Sequence, residues 1–253
     1  MVTYFISDLH LSPQRPETST LFLKFLATEA RNAQALYILG DLFESWVGDD
    51  NFNIHDQKII EGLAEFAKSG ILLYFMHGNR DFLIGQKFAE RACYILLPDP
   101  TVIELYQNKI LLTHGDQLCT FDKAYQRFRW FVQHPVTKKF FLKLPLRLRQ
   151  AIARALRAQS SKRFQALQPQ AATELHHATK QMTYKWDVAL NTVYKFLREH
   201  QAYILIHGHT HKPGIHHFIL DNHKALRIVL GEWGMQGNVL AYSPSGPEFK
   251  IIS

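Results

Sequence analysis

Residues 202–213 read Ala202-Tyr-Ile-Leu-Ile206 and then His207-Gly208-His209-Thr210-His211-Lys212-Pro213. A short β-favouring run breaks abruptly into imidazoles around a glycine. So short an apolar run is a buried strand rather than a helix. Histidines at its carboxyl end stand where α/β sheets bind ligands. Upstream, the same pattern occurs four more times. Val2-Thr-Tyr-Phe-Ile6 runs into Ser7-Asp8-Leu9-His10, and Ala35-Leu-Tyr-Ile-Leu39 into Gly40-Asp41. Ile71-Leu-Leu-Tyr-Phe-Met76 runs into His77-Gly78-Asn79-Arg80-Asp81, and Lys109-Ile-Leu-Leu-Thr113 into His114-Gly115-Asp116. Amphipathic helical patterns over 20–32 and 56–69 separate the first three runs, so strand and helix alternate and predict an α/β sheet. Beyond His211, segments 215–220, 226–230, 238–242 and 248–252 read as a β meander, and predict a second, partly antiparallel sheet.

The chain has 253 residues, 47% hydrophobic and 20% charged. That excludes a disordered, collagen-like or disulfide-framework protein, and the length suffices for a sizeable core. Two cysteines, Cys93 and Cys119, fit a reducing compartment. Eighteen consecutive apolar residues occur nowhere, and the start lacks a basic, cleavable leader, so a cytoplasmic protein is expected.

Residues 121–200 interrupt the alternation. Helical patterns over 123–133, 145–159 and, with interruptions, 172–199 predict an inserted helical cap, leaving 1–120 and 201–253 as the core. Between Phe121 and Arg163 stand twelve lysines and arginines against one acid, Asp122, in a chain of net charge +7. The same stretch carries Phe128, Trp130, Phe131, Phe140 and Phe141. A membrane-surface helix, a nucleic-acid patch and an ordinary solvated face all fit such a segment. Its aromatic content favours a site for something both anionic and greasy.

Asp8, His10, Asp41, Asn79, His114, His209 and His211 together offer seven N and O donors at five strand ends, with no thiolate among them. Imidazole, carboxylate and amide oxygen suit Mn²⁺, Fe²⁺ or Zn²⁺. The number of donors fits two ions sharing a carboxylate, and Asp41 is placed to bridge.

These blocks, Asp8-x-His10, Gly40-Asp41, Gly78-Asn79-Arg80-Asp81, His114 and Gly208-His209-Thr210-His211, resemble the calcineurin-like metallophosphoesterase superfamily over residues 8–211. The resemblance implies a double β-sandwich flanked by helices, a four-layer αββα fold. It implies one metal on Asp8, His10, Asp41 and His211, and a second on Asp41, Asn79, His114 and His209. The superfamily usually has histidine where this chain has Arg80. Arginine stays charged near neutrality and cannot act as an acid, but it clamps phosphate bidentately. A phosphate leaving group needs no proton, so Arg80 points to pyrophosphate cleavage.

The finer resemblance is to members that hydrolyse a UDP-linked diacyl glucosamine, carried by 5–11, 35–50, 77–83, 114–119, 206–213 and 229–233. It implies a Mn²⁺-activated water attacking the α-phosphorus, with Asp41, Asn79, Arg80 and His114 catalytic. Asn79, Arg80, Asp122, Ser160 and His209 would bind substrate. The family's next Asn and Lys are replaced here by Phe164 and Leu167, and Lys180 or Lys162 stands as substitute. A glycolipid substrate, the anionic cytoplasmic face of the inner membrane as docking surface, no nucleic-acid partner and a monomer are expected. The competing reading is a metallophosphodiesterase acting on nucleotides or nucleic acid. His207 is expected to orient a ligand from behind, Trp46 and Phe82 to pack at the site mouth or in the core, and Asp49, Asp50 and Asp116 to tie loops.

Overall fold

The computed structural model describes residues 2–50, 53–167 and 188–253, with 161–167 as backbone only. Strands β1 (Val2–Ile6), β2 (Ala33–Leu39) and β3 (Leu72–Met76) lie side by side and parallel. The short β4 (Ile95–Leu97) extends them on one edge. On the other edge stand β10 (Gly237–Ser243) and β11 (Gly246–Ile252), both antiparallel to their neighbours. A second sheet contains β5 (Thr101–Leu105), β6 (Asn108–Thr113), β7 (Ile204–His207), β9 (His223–Val229) and β8 (Gly214–Leu220), in that order.

Strand alternation explains the layers. In β1, Tyr4 and Ile6 face one side and Phe5 the other; in β2, Leu36 and Ile38 oppose Ala35, Tyr37 and Leu39. The Phe5 and Tyr37 side meets Ile110, Leu112, Ile204, Ile206 and Ile228 of the second sheet, so the two sheets share one apolar layer. The Tyr4 side is covered by α1 (Pro16–Ala27), α2 (Ile54–Lys68) and α3 (Gln86–Ala92). Leu111 and Leu205, on the far side of the second sheet, pack against Val193 and Leu197 of a helix at Leu190–Glu199. The result is the four-layer αββα arrangement. Both faces of the central strands are buried, and this is why they read as unbroken apolar runs.

Two expectations need correction. The five strands ending in polar clusters do not share one sheet: β1, β2 and β3 belong to the first, β6 and β7 to the second. Nor do the last four strands form a meander in one sheet. The β8–β9 hairpin completes the second sheet and the β10–β11 hairpin the first. Apolar content is the same in either assignment, so composition could not separate them.

Local signals set the helices. Pro16 opens α1, and the Asn53 side chain accepts from the Asp56 amide in a capping box that starts α2. Between β6 and β7 the chain forms α4 (Lys123–Gln133), α5 (Pro135–Leu142) and α6 (Leu146–Leu167), then α7, the Leu190–Glu199 helix. Pro135 begins α5, and Pro145 precedes α6.

Candidate metal centre

The parallel strands bring their carboxyl ends to one rim. The loop after β1 carries Asp8 and His10, that after β2 Asp41, and that after β3 Asn79 and Arg80. From the second sheet come His114 after β6, and His209 and His211 after β7. Asp8, His10, Asp41 and His114 are almost wholly buried. Two bonds join the sheets here, His209 N donating to Asp8 Oδ2 at 2.9 Å and His114 Nδ1 to Leu39 O at 2.9 Å, while Gly208 N donates to His114 O at 2.9 Å within the second sheet.

The backbone is strained where the donors sit. Asp8, His10, Asp41, His209 and His211 have φ of 55°, 49°, 53°, 68° and 55°. Each such residue costs on the order of 1 kcal/mol or more, and such strain clusters at functional sites. Space is equally tight: a Cβ on Gly78 would stand 2.1 Å from Asp41 Oδ1, and one on Gly208 2.4 Å from Asp8 Oδ2.

Two groups of donors emerge. In the first, His211 Nε2 lies 3.3 Å from Asp8 Oδ1 and 3.4 Å from His10 Nε2, which is 4.0 Å from Asp41 Oδ2. In the second, Asn79 Oδ1 lies 2.9 Å from both His114 Nε2 and His209 Nδ1, and His114 Nε2 is 3.7 Å from Asp41 Oδ1. Asp41 thus offers one oxygen to each group. Ligands about 2.1 Å from an octahedral ion stand about 3 Å apart, so most of these separations suit a common divalent ion. Asp8 Oδ1 is buried without a hydrogen bond, the state of an oxygen kept for a cation. Among the described residues, Asp8, His10 and His211, and Asp8, Asp41 and His114, group closely enough to hold a metal.

The electrostatics favour cations. Burial alone would raise the Asp8 carboxyl, but the adjoining His211 imidazole and the charges of His114 and His10 hold it well below the usual carboxylate range. Burial opposes charge on His114 and His211 too. Asp41, Asp8 and Asp116 nonetheless push His114 up to about 9, and Asp8 with Glu232 push His211 up to about 10. His209 is pushed down to about 3 by burial and then by His114, so its lone pair stays available. Burial, then the charge of Asp41, raises Asp81 to about 7. Asp81 accepts from Gly78 N at 2.8 Å and Leu42 N at 2.7 Å, locking two of the donor loops together.

Arg80 borders this centre, its Nε 4.0 Å from Asp41 Oδ2 and its side chain a third exposed. Asp122 is buried and caps α4, accepting from Tyr125 N at 3.0 Å. Ser160 is exposed on α6, one turn beyond Arg157, which grips Glu44. Lys180 lies outside the described residues, and the side chain of Lys162 does too. His207 Nδ1 donates to Gly208 O, 2.8 Å away, behind the His209 loop. Trp46 is buried beside Phe43 and Phe88 in the core, whereas Phe82 lies under Lys138 Nζ of α5. Asp49 accepts from Gly85 N and Phe88 N at the start of α3, and Asp50 pairs with Arg149. Asp116 accepts from Tyr125 Oη at 2.9 Å and Arg129 Nε at 2.7 Å, tying α4 to the His114 loop.

The basic stretch is therefore not one free patch. Arg129, Lys138, Arg149 and Arg157 turn inward to Asp116, the Phe82 carbonyl, Asp50 and Glu44. Two residues escaped the sequence reading. Glu44 Oε2 lies 3.2 Å from His10 Nδ1, and Glu232 Oε2 lies 2.9 Å from His211 Nδ1. Their only signal is position, three residues after Asp41 and one before the buried Trp233, whose amide donates to Asp8 O at 3.1 Å.

A family model, the calcineurin-like phosphoesterases, matches residues 1–213, and the chain belongs to that family. Within it, the chain is 48% identical over 244 residues to the UDP-2,3-diacylglucosamine hydrolase of Aeromonas hydrophila, covering 96% of this chain and 95% of that protein. It is 46% identical to the protein of that name in Aeromonas salmonicida, covering 96% and 91%, and 43% identical to that of Escherichia coli K12, covering 95% and 94%.

Proposed function

We propose that this chain hydrolyses the pyrophosphate of UDP-2,3-diacylglucosamine by water attack on the α-phosphorus, giving UMP and 2,3-diacylglucosamine 1-phosphate for lipid A synthesis. The placement of Arg80 beside Asp41, in a chain so similar to hydrolases of that name, carries this reading. Asp8, His10, Asp41 and His211 would hold one Mn²⁺, and Asp41, Asn79, His114 and His209 another, with Fe²⁺ or Zn²⁺ possible in their place. Such ions supply Lewis acidity and lower the pKa of a bound water.

The chain's own residues do the rest. His114 is locked with its Nδ1 proton on Leu39 O, so Nε2 faces the centre. Asn79 points Oδ1 at two imidazoles, leaving its amide NH₂ for a phosphate oxygen. Arg80 pairs with the departing sugar phosphate, which needs charge stabilisation and no proton. Asp122, Ser160, His209 and a lysine such as Lys180 would complete the substrate contacts.

Residues 121–200 act as a lipid-binding cap over the core formed by 1–120 and 201–253. Trp130, Phe131 and Phe140 are 71, 58 and 67% exposed, an apolar surface beside Lys139 and Lys143 that suits acyl chains and an anionic bilayer. No helix among the described residues is long and apolar enough to cross a membrane, so contact would be peripheral, as a monomer on the cytoplasmic face.

The test is turnover of UDP-2,3-diacylglucosamine in detergent micelles by metal-stripped protein, with and without Mn²⁺, products identified by mass. Mn²⁺-dependent release of UMP and the acylated sugar 1-phosphate is expected. Hydrolysis of bis-p-nitrophenyl phosphate alone would refute the lipid substrate and favour a nucleotide phosphodiesterase.

A further inference from the structure

The two donor groups differ in what stands behind them. His10 and His211 turn Nε2 to the centre, 3.4 Å apart, and present Nδ1 to carboxylates. Glu232 is hydrogen-bonded to His211 Nδ1 at 2.9 Å, whereas Glu44 stands 3.2 Å from His10 Nδ1 without hydrogen-bond geometry and brings its charge alone. Both carboxylates are themselves held by arginines. Arg15 reaches Glu232 at 3.4 Å and the Trp233 carbonyl at 2.7 Å, while Arg157 of α6 grips both the side chain and the carbonyl of Glu44. In the other pair no outer nitrogen is paired with a carboxylate among the described residues. His114 gives its Nδ1 proton to the peptide carbonyl of Leu39, and His209 turns Nδ1 inward while its ring lies along Tyr125.

A peptide carbonyl fixes the tautomer and tilt of an imidazole. A carboxylate does both and also strengthens the inner nitrogen as a donor, adding negative charge near the ion. Two such carboxylates serve one group and none is paired with the outer nitrogens of the other among the described residues. We propose that Glu44 and Glu232 are positioning residues for one metal only, making the Asp8–His10–Asp41–His211 site the tighter of two unequal sites. This rests on the two-metal reading above. The Asn79–His114–His209 site is then the one that fills last as Mn²⁺ rises.

Calorimetric titration of the metal-stripped chain with Mn²⁺, with electron paramagnetic resonance to count free ion, tests this directly. The unaltered chain should take up two ions in two affinity classes. Glu232→Gln and Glu44→Gln keep size and an acceptor oxygen but remove the charge. Each should weaken the tight class about 10–100-fold, Glu232→Gln more, with the weak class unmoved. Asn79→Ala should give the mirror result, losing the weak class and keeping the tight one. Glu44 and Glu232 side chains are 35 and 41% exposed, so unchanged melting of the metal-free variants is expected and separates tuning from damage. Equal shifts in both classes, or a tight class indifferent to both glutamines, would overturn the inference and leave the two-metal reading standing. Fewer than two ions on the unaltered chain would overturn both.

Discussion

In the sheets, Phe5, Ile6, Leu36 and Leu39 are wholly buried, whereas α4 and α5 bury none of their residues and hold Trp130, Phe131 and Phe140 in the open. Yet the helical segment is not loosely attached. Its polar side chains do the anchoring: Arg149 is buried, bonded to Val47 O, Leu144 O and Asp50, and Lys138 reaches Phe82 O at 3.1 Å. The core hides apolar groups and presents polar ones at its rim; the helical segment turns polar groups inward and shows apolar ones. This open apolar face is the surface that the proposed acyl-chain contact would use.

Substitutions can break this contrast, and the largest effect belongs at the rim. Asp41→Ala removes the oxygens shared by both donor groups. Metal-dependent turnover should fall by about three orders of magnitude, measured as kcat at saturating Mn²⁺. Full activity would show that the shared carboxylate is not part of the machinery. Gly78→Ala comes next, because its Cβ would overlap Asp41 Oδ1 at 2.1 Å. Thermal or denaturant unfolding should show a loss of about 2–3 kcal/mol. Arg149→Ala should cost about 1–3 kcal/mol by leaving its partners unpaired. Limited proteolysis should then cut first between Leu142 and Leu167 while the sheets resist; cleavage spread evenly would erase the distinction between the two regions. Trp130→Ser with Phe140→Ser should leave stability within about 0.5 kcal/mol, leave bis-p-nitrophenyl phosphate turnover unchanged, and raise KM for a micellar diacyl substrate.

The smallest effect probes the joint between the regions. Asp99 is raised to about 6 by burial and then by the charge of Asp116, and Arg129 of α4 lies 3.7 Å away. A carboxyl raised on folding is protonated in the folded chain and ionised in the unfolded one between about pH 4 and 6. The folded state binds more protons there, so Asp99 lowers stability as pH rises through that window and has no further effect above it. Relative to Asp99→Asn, the unaltered chain should lose stability from pH 4 to 6 and then run parallel. A flat difference throughout would show that Asp99 is not protonated in the folded chain.

The rim was legible because its chemistry is local: each donor follows its own strand within a few residues, as His114 follows Thr113. The division into two sheets was not, since Phe5 and Ile6 are equally apolar though they face different layers. β4 has three residues and β5 reads Thr-Val-Ile-Glu-Leu in a half-exposed alternation, too short or too mixed to stand out. Glu44 and Glu232 lay hidden for another reason. A carboxylate that acts on a histidine from behind carries no spacing signature, because its partner is far away in sequence. The inward turn of Arg129, Arg149 and Arg157 was equally invisible, since charge counts do not tell direction.

β1 has β2 on one side and β10 on the other, and Trp233, beyond β9, closes the Asp8 loop. During synthesis this strand therefore waits for its second neighbour until more than two hundred further residues have been made. A ribosome-bound chain holds an open, largely apolar strand edge throughout that interval, a long exposure to wrong pairing. Pausing or truncation before residue 237 would leave the donor loops on the chain but the sheet that aligns them unfinished.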